Sequence, residues 1–318
     1  MKKILLIIFI ISFIGIPFAE GHPFTTKTYP TQGSNVPAGI TQISLNYSEA
    51  VEIDFSVLKV FDSNGDQVDN KDTSYFEGED SLVITTPPLQ DGVYTVTSKV
   101  LSKVDGHLTD YAFVFAVGEV KIDPALLEQQ GTSETLFYPE AGARFPGLVG
   151  QTIVLGGVIS SLLIWSTRRK DLIADKLVQL QEKFHSKFLS ITGIGLVSIF
   201  VSNILMLIMQ TLRLESSAFE VVQTSFGTTW MIRMGITISL LIVWFWMERK
   251  PSISKKNQIP LLILSLALIA TSTMIGHGTA SEQPSAVILD YIHNLIAAVW
   301  IGGVIFFWFH FTTFFIYT

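Results

Sequence analysis

The sequence predicts an all-β Greek-key sandwich, Ig-like or cupredoxin-like, followed by an α-helical multi-pass transmembrane bundle of about five helices. Three observations predict it. The 318 residues have a mean hydropathy of +0.45 and only 15% charged side chains, values that belong to membrane proteins. Between 22 and 120 the apolar residues come in short alternating runs, the period-two pattern of strands with one buried face. After 147 they gather into long runs separated by short polar segments.

The amino terminus reads as a secretion signal over 1–21. Lys2 and Lys3 precede an apolar run from Ile4 to Phe18, and Ala19 and Gly21 are the small residues a signal peptidase requires. Cleavage after Gly21 makes His22 the mature terminus, followed by Pro23. A terminal histidine offers its free amine and ring Nδ1 to one metal. Pro23 has no backbone N–H, so the second amide cannot join, and the remaining ligands must come from elsewhere in the fold. Copper(II) prefers a tetragonal set of nitrogen and oxygen donors.

Residues 22–120 form the expected β domain. Val51, Ile53, Phe55 and Val57 alternate, as do Tyr111, Phe113, Phe115 and Val117. Ser63-Asn64-Gly65-Asp66 marks a turn after a strand ending at Phe61, and Asp91-Gly92 introduces the strand Val93–Thr97. The domain carries fourteen acidic side chains against five basic ones. Such a surface excludes a nucleic-acid partner and attracts cations. The chain has no cysteine, which rules out disulfides, thiolate metal sites and cysteine nucleophiles. Between the last two strands lies Ser102-Lys103-Val104-Asp105-Gly106-His107. Asp105 and His107 are two apart and in extended chain point the same way. With His22 they complete a candidate copper(II) set. No methionine falls between 22 and 120, so the domain lacks the thioethers that favour copper(I).

Residues 121–147, with Pro124, Pro139 and Pro146, are expected to be a linker with one helical turn near Pro124–Gln129. The membrane part, 148–318, contains apolar spans near 148–166, 188–210, 229–247, 259–276 and 288–312. Arg168, Arg169, Lys170, Lys176, Lys183 and Lys187 crowd the loop 167–187, and Arg249, Lys250, Lys255 and Lys256 the next basic loop. Both are expected on the cytoplasmic side, which puts the β domain outside the cell membrane. His185, in the first of these loops, is expected to be solvated, and Arg233 to snorkel to the outer interface. That topology gathers Met206, Met209, Met231, Met234, Met274, His277, Asp290 and His293 toward the outer leaflet. Thioethers and imidazoles suit copper(I). His277 and His293, with Met274, Met231 and Met234, are therefore the candidates for a membrane site. Gly302-Gly303 is expected to permit close helix packing.

Leu89–Val96, running on to Asp105-Gly106-His107 and Phe113–Gly118, resembles the CopC copper-binding domain. Ile43–Glu49 and Val57–Asp62 fit its early strands, and His22 matches its terminal ligand. The chain departs from the usual pattern in two places. Two residues rather than one separate Ser102 from Asp105, and Ser98 stands where a Trp is common. Thr224–Arg233, Gly276-His277-Gly278 and His293–Gly303 resemble the CopD membrane domain. The fused arrangement resembles YcnJ-like copper importers. It implies copper(II) binding by His22, Asp105 and His107, and copper transport rather than enzymatic turnover. CopD proteins usually have more helices. The chain is therefore expected either to be a short variant or to be completed by a second copy or a partner membrane subunit. Two other readings stay open: a bis-His haem protein using His277 and His293, and a copper oxidase using a histidine brace. No nucleotide-binding P-loop is present in the sequence.

Overall fold

A computed structural model describes residues 23–104, 106–128, 131–134, 138–166, 174–250, 254–274 and 284–316. The strands are β1 (Thr25–Tyr29), β2 (Asn35–Val36), β3 (Gln42–Tyr47), β4 (Val57–Phe61), β5 (Ser74–Tyr75), β6 (Ser81–Thr85), β7 (Gly92–Leu101), β8 (Leu108–Val117) and β9 (Gly131–Glu134). They form two sheets. One runs β1-β3-β6-β5; the other runs β2-β8-β7-β4, with β9 added to β8. The core lies between them. Ile43, Leu45 and Tyr47 of β3 and Leu82 and Ile84 of β6 meet Val60, Val96, Phe113 and Phe115 of the facing sheet. Each such side chain contributes about 1.5–3 kcal/mol on burial, and in a chain without cysteine this core holds the domain alone.

Local chemistry explains the strand ends. Asp62 Oδ1 accepts the N–H groups of Asn64 and Asp66 at 2.9 Å each, closing the turn after β4. Gly92 opens β7, which pairs with β8 over ten residues from Gly92↔Val117 to Leu101↔Leu108. The alternation at 51–57 does not make one strand. Ile53–Phe55 is a short 3₁₀ turn, and β4 starts only at Val57. Period two over four residues is too short a signal to exclude a tight turn. The segment after Val120 differs from a plain connection as well. Its helix α1 (Pro124–Glu128) is followed by β9, which returns to pair with Thr109–Ala112 of β8.

The membrane part consists of α2 (Tyr138–Ser166), α3 (Ala174–Leu214), the short α4 (Ala218–Gln223), α5 (Ser225–Glu248), α6 (Lys255–Thr273) and α7 (Pro284–Ile316). Among the described residues, four helices carry stretches long and apolar enough to cross a membrane: Glu140–Leu163, Phe184–Leu214, Ser225–Glu248 and Ser285–Trp308. The chain is a multi-pass membrane protein. α6 opens on Lys255-Lys256-Asn257-Gln258 and is the shortest of the long helices at 19 residues.

Glycines set the helix spacing. A Cβ on Gly302 of α7 would fall inside the shell of the Thr152 carbonyl, and one on Gly156 of α2 would strike Gly302 itself. Gly150 and Gly195 do the same between α2 and α3. Close approach of backbones replaces the hydrophobic drive that lipid removes. Pro146 lies inside α2. Around it, Ser198 Oγ donates to the Pro146 carbonyl at 2.7 Å and Ser202 Oγ to the Ala143 carbonyl at 2.6 Å. Serine hydroxyls near a helix proline supply backbone carbonyls with partners that lipid cannot offer.

Two sequence expectations are corrected here. His185 does not lie in a loop: α3 is helical from Ala174, and His185 is half-buried within it. Arg233 does not snorkel outward. Its guanidinium turns into the bundle and bonds to Asn203 of α3 and to Thr271 and Ser272 of α6. Polar partners inside the bundle outweigh the reach to water.

Candidate metal centre

The loop 102–107 joins β7 to β8 at one end of the sandwich. Ser102 N–H donates to the His107 carbonyl at 2.9 Å, and Val104 N–H to Ser102 Oγ at 3.0 Å. Lys103 N–H reaches the Ala50 carbonyl at 2.9 Å, and its ammonium pairs with Glu79 at 2.9 Å. Gly106 has φ +71°, a left-handed conformation that glycine takes without the Cβ penalty. The turn sets His107, half-buried, at the start of β8.

Phe24, just before β1, is drawn to the same end. Phe24 and Ser48 exchange bonds: Phe24 N–H to Ser48 Oγ at 3.2 Å and Ser48 N–H to the Phe24 carbonyl at 2.9 Å. Two residues beyond Ser48, Ala50 accepts from Lys103 of the loop. His22 stands two residues before Phe24, a reach of about 7 Å along extended chain. His22 and Asp105 themselves lie outside the described residues, so of this set the structure places His107.

Ser98, where a Trp is common, is buried, and its hydroxyl meets the Tyr47 hydroxyl at 2.7 Å. Burial raises the Tyr47 phenol well above the usual tyrosine range. The Ser98 bond opposes that shift and the nearby Tyr111 adds to it.

The loop is also fastened to the membrane bundle. The Phe184–Leu214 stretch of α3 has 31 residues. That is about 46 Å at 1.5 Å per residue, against about 30 Å of hydrocarbon. The surplus carries its last turns to the β domain. Buried Gln210 donates from Nε2 to the Gly106 carbonyl at 3.1 Å, and Arg213 from Nη2 to the Leu108 carbonyl at 3.2 Å. Arg213 is held in place by Glu140 of α2 at 3.1 Å. From the start of α5, Phe226 lies against Gly106, whose Cβ position is 3.2 Å from the Phe226 Cβ. Glu52 accepts the Ser225 N–H at 2.9 Å. Gln210, Arg213 and Phe226 of the bundle thus contact the loop and its exit into β8, a role the sequence alone did not assign to them. Gln210 and Arg213 left one signal: polar side chains ending an overlong apolar helix.

The membrane candidates are more scattered. His277 lies outside the described residues. His293 is exposed on α7; three residues before it, Asp290 accepts from Asn294 Nδ2 at 3.2 Å. Met231 on α5 and Met274, just past α6, are exposed, and Met234 is half-buried. Among the described residues no group of three or more His, Asp or Glu could hold a metal ion.

A two-sheet domain whose β7–β8 loop is bonded to a helical membrane bundle defines a class of membrane protein with an attached β domain. The CopC domain model matches residues 25–118, and the model for the copper resistance protein D-like N-terminal domain matches residues 138–287. Through its β domain the chain belongs to the CopC family, and it carries a copper resistance protein D-like N-terminal domain behind it. "Copper transport protein CutJ" of Bacillus subtilis (strain 168) is 24% identical over 95% of this chain and 55% of its own length. The chain therefore spans a little over half of that relative. "Protein YobA" of Escherichia coli (strain K12) is 32% identical over 103 residues, 32% of this chain and 82% of its own. Two solved structures resemble the β domain. CopC from Methylosinus trichosporium OB3b is 26% identical with TM-score 0.29, covering 32% of this chain and all of its own. PcoC, a methionine-rich copper resistance protein from Escherichia coli, is 27% identical with TM-score 0.28, covering 30% of this chain and 99% of its own.

Proposed function

We propose that the chain captures copper(II) outside the cell and hands it to its own membrane bundle for import. The terminal amine and ring of His22, the Asp105 carboxylate and the His107 imidazole form the capture site. Nitrogen and oxygen donors without thioether suit the oxidised ion. The observation that carries this reading is the bonding of the loop between those ligands to the bundle, through Gln210 and Arg213 onto the Gly106 and Leu108 carbonyls. A domain serving only to store copper needs no such fixed seat over the helices. The basic loops between spans put this seat on the outer side of the cell membrane.

On release, a one-electron donor outside this chain reduces the ion, and it passes as copper(I) to a site near the outer ends of α6 and α7. His277, His293, Met274, Met231 and Met234 supply its ligands. A second copy or a partner subunit completes the route. The role is transport rather than catalysis, because a carboxylate at Asp105 fills the equatorial position that oxygen activation requires.

The test is the mature protein from a native-like host. Mass spectrometry is expected to find His22 at the terminus. Titration is expected to show one tight type-2 copper(II) signal by electron paramagnetic resonance, weakened at least tenfold in His107→Ala. Copper uptake by vesicles follows on the same sample. A terminus elsewhere, together with no tight copper(II) signal, overturns the capture site.

A further inference from the structure

Phe226, which packs against Gly106, also lines a partly open cavity of about 130 Å³ between the helices. Arg144, Ser202, Met206, Phe226, Trp230 and Arg233 line it. We propose that this cavity binds one small monovalent anion, a halide or a one- or two-carbon carboxylate.

The charges around it do not balance. Arg233 Nε donates to Asn203 Oδ1 at 2.9 Å, and Nη1 to Thr271 Oγ1 at 3.0 Å, Ser272 Oγ at 2.6 Å and the Leu268 carbonyl at 3.4 Å. Its Nη2 reaches Gln151 Oε1 at 3.5 Å. Every one of these acceptors is neutral. Arg144 is close enough for its charge to be felt by Arg233. Its Nη2 pairs with Glu140 at 2.6 Å, but Glu140 also serves Arg213 at 3.1 Å. The Arg144 Nε is buried and has no hydrogen-bond partner among the described residues. Among the described residues Arg144 pairs with Glu140, and no carboxylate pairs with Arg233.

Arginine stays charged in proteins, and a charge taken out of water needs a partner of opposite sign. Neutral dipoles orient Arg233 but leave its charge without a counter-ion. The cavity has room for about four waters at roughly 30 Å³ each. That volume takes chloride with water, or formate or acetate. It is too small for a nucleotide or a lipid headgroup with its glycerol. The buried Arg144 Nε–H and the Arg233 Nη2 group, whose one bond is the long one to Gln151, are donors for such an ion. The inference does not depend on the copper reading, since it uses none of the proposed copper ligands.

The experiment is equilibrium binding of radiolabelled chloride to the full chain in phosphatidylcholine nanodiscs, with ionic strength held constant by gluconate. Saturable binding near one chloride per chain is expected, displaced by unlabelled formate and not by gluconate. Arg233→Gln is expected to weaken it at least tenfold, and Arg144→Gln serves if the first variant does not fold. Wild-type protein without saturable binding overturns the proposal, as does binding unchanged in a folded variant. Chloride binding abolished in phosphatidylglycerol nanodiscs also overturns it, because a lipid phosphate then occupies the arginines.

Discussion

Replacing Gln210 by alanine and Arg213 by methionine in one chain removes the bonds these side chains make from α3 to the Gly106 and Leu108 carbonyls. The first change deletes a neutral bond and leaves the Gly106 carbonyl without its donor, a cost of about 1–3 kcal/mol. The second deletes a charge-assisted bond to the Leu108 carbonyl, about 1.5–3 kcal/mol. Glu140 keeps Arg144 at 2.6 Å, so that carboxylate is not stranded. The two sites share a loop and their effects will not add fully. A combined loss of about 3 kcal/mol corresponds to roughly a hundredfold shift toward the undocked loop. Hydrogen exchange on the full chain in nanodiscs measures it. The amides of 102–108 are expected to exchange up to a hundredfold faster. Leu45, in the centre of β3 and fully buried, is expected to keep its rate. Vesicle copper uptake is expected to fall while copper(II) affinity stays within twofold. Unchanged exchange at 102–108 in the double variant would refute the docking, and with it the observation on which the import reading rests.

Gly302→Val drives two methyl groups into the Thr152 carbonyl and Gly156. Overpacking of this kind costs about 1–3 kcal/mol, and the thermal midpoint of the bundle in detergent is expected to drop by several degrees. An unchanged midpoint means α2 and α7 do not meet there. Tyr47→Phe tests the buried hydroxyl pair. The folded phenol titrates higher than the unfolded one, so its stabilising contribution is full below about pH 10 and declines as pH rises beyond it, by about 1.4 kcal/mol per pH unit. The variant is expected to lose about 1 kcal/mol at pH 7 through the missing Ser98 bond, yet to decline less between pH 10 and 11. Calorimetry of the β-domain transition follows both, and parallel alkaline decline in the two proteins would place the phenol in water.

Much of this molecule is local, and local features are written in the sequence. Asp62 through Gly65 close a turn with their own atoms, so that turn could be read directly. The β7–β8 hairpin follows from alternation and an Asp-Gly start, and Gly302 announces a close helix contact because no other residue permits it. The His107 loop was legible for the same reason, being bounded by two strong strands. Tertiary structure decided the rest. Gln210 and Arg213 look like ordinary polar residues at a helix end, and only the seating of the β domain on α3 makes them the partners of Gly106 and Leu108. Arg233 satisfies an outward-snorkelling pattern in one dimension. In three, Asn203, Thr271 and Ser272 from two other helices draw it inward. Sequence spacing specifies neighbours along one element. Which charge faces which across a hundred residues depends on how the helices pack, and that is a property of the whole fold.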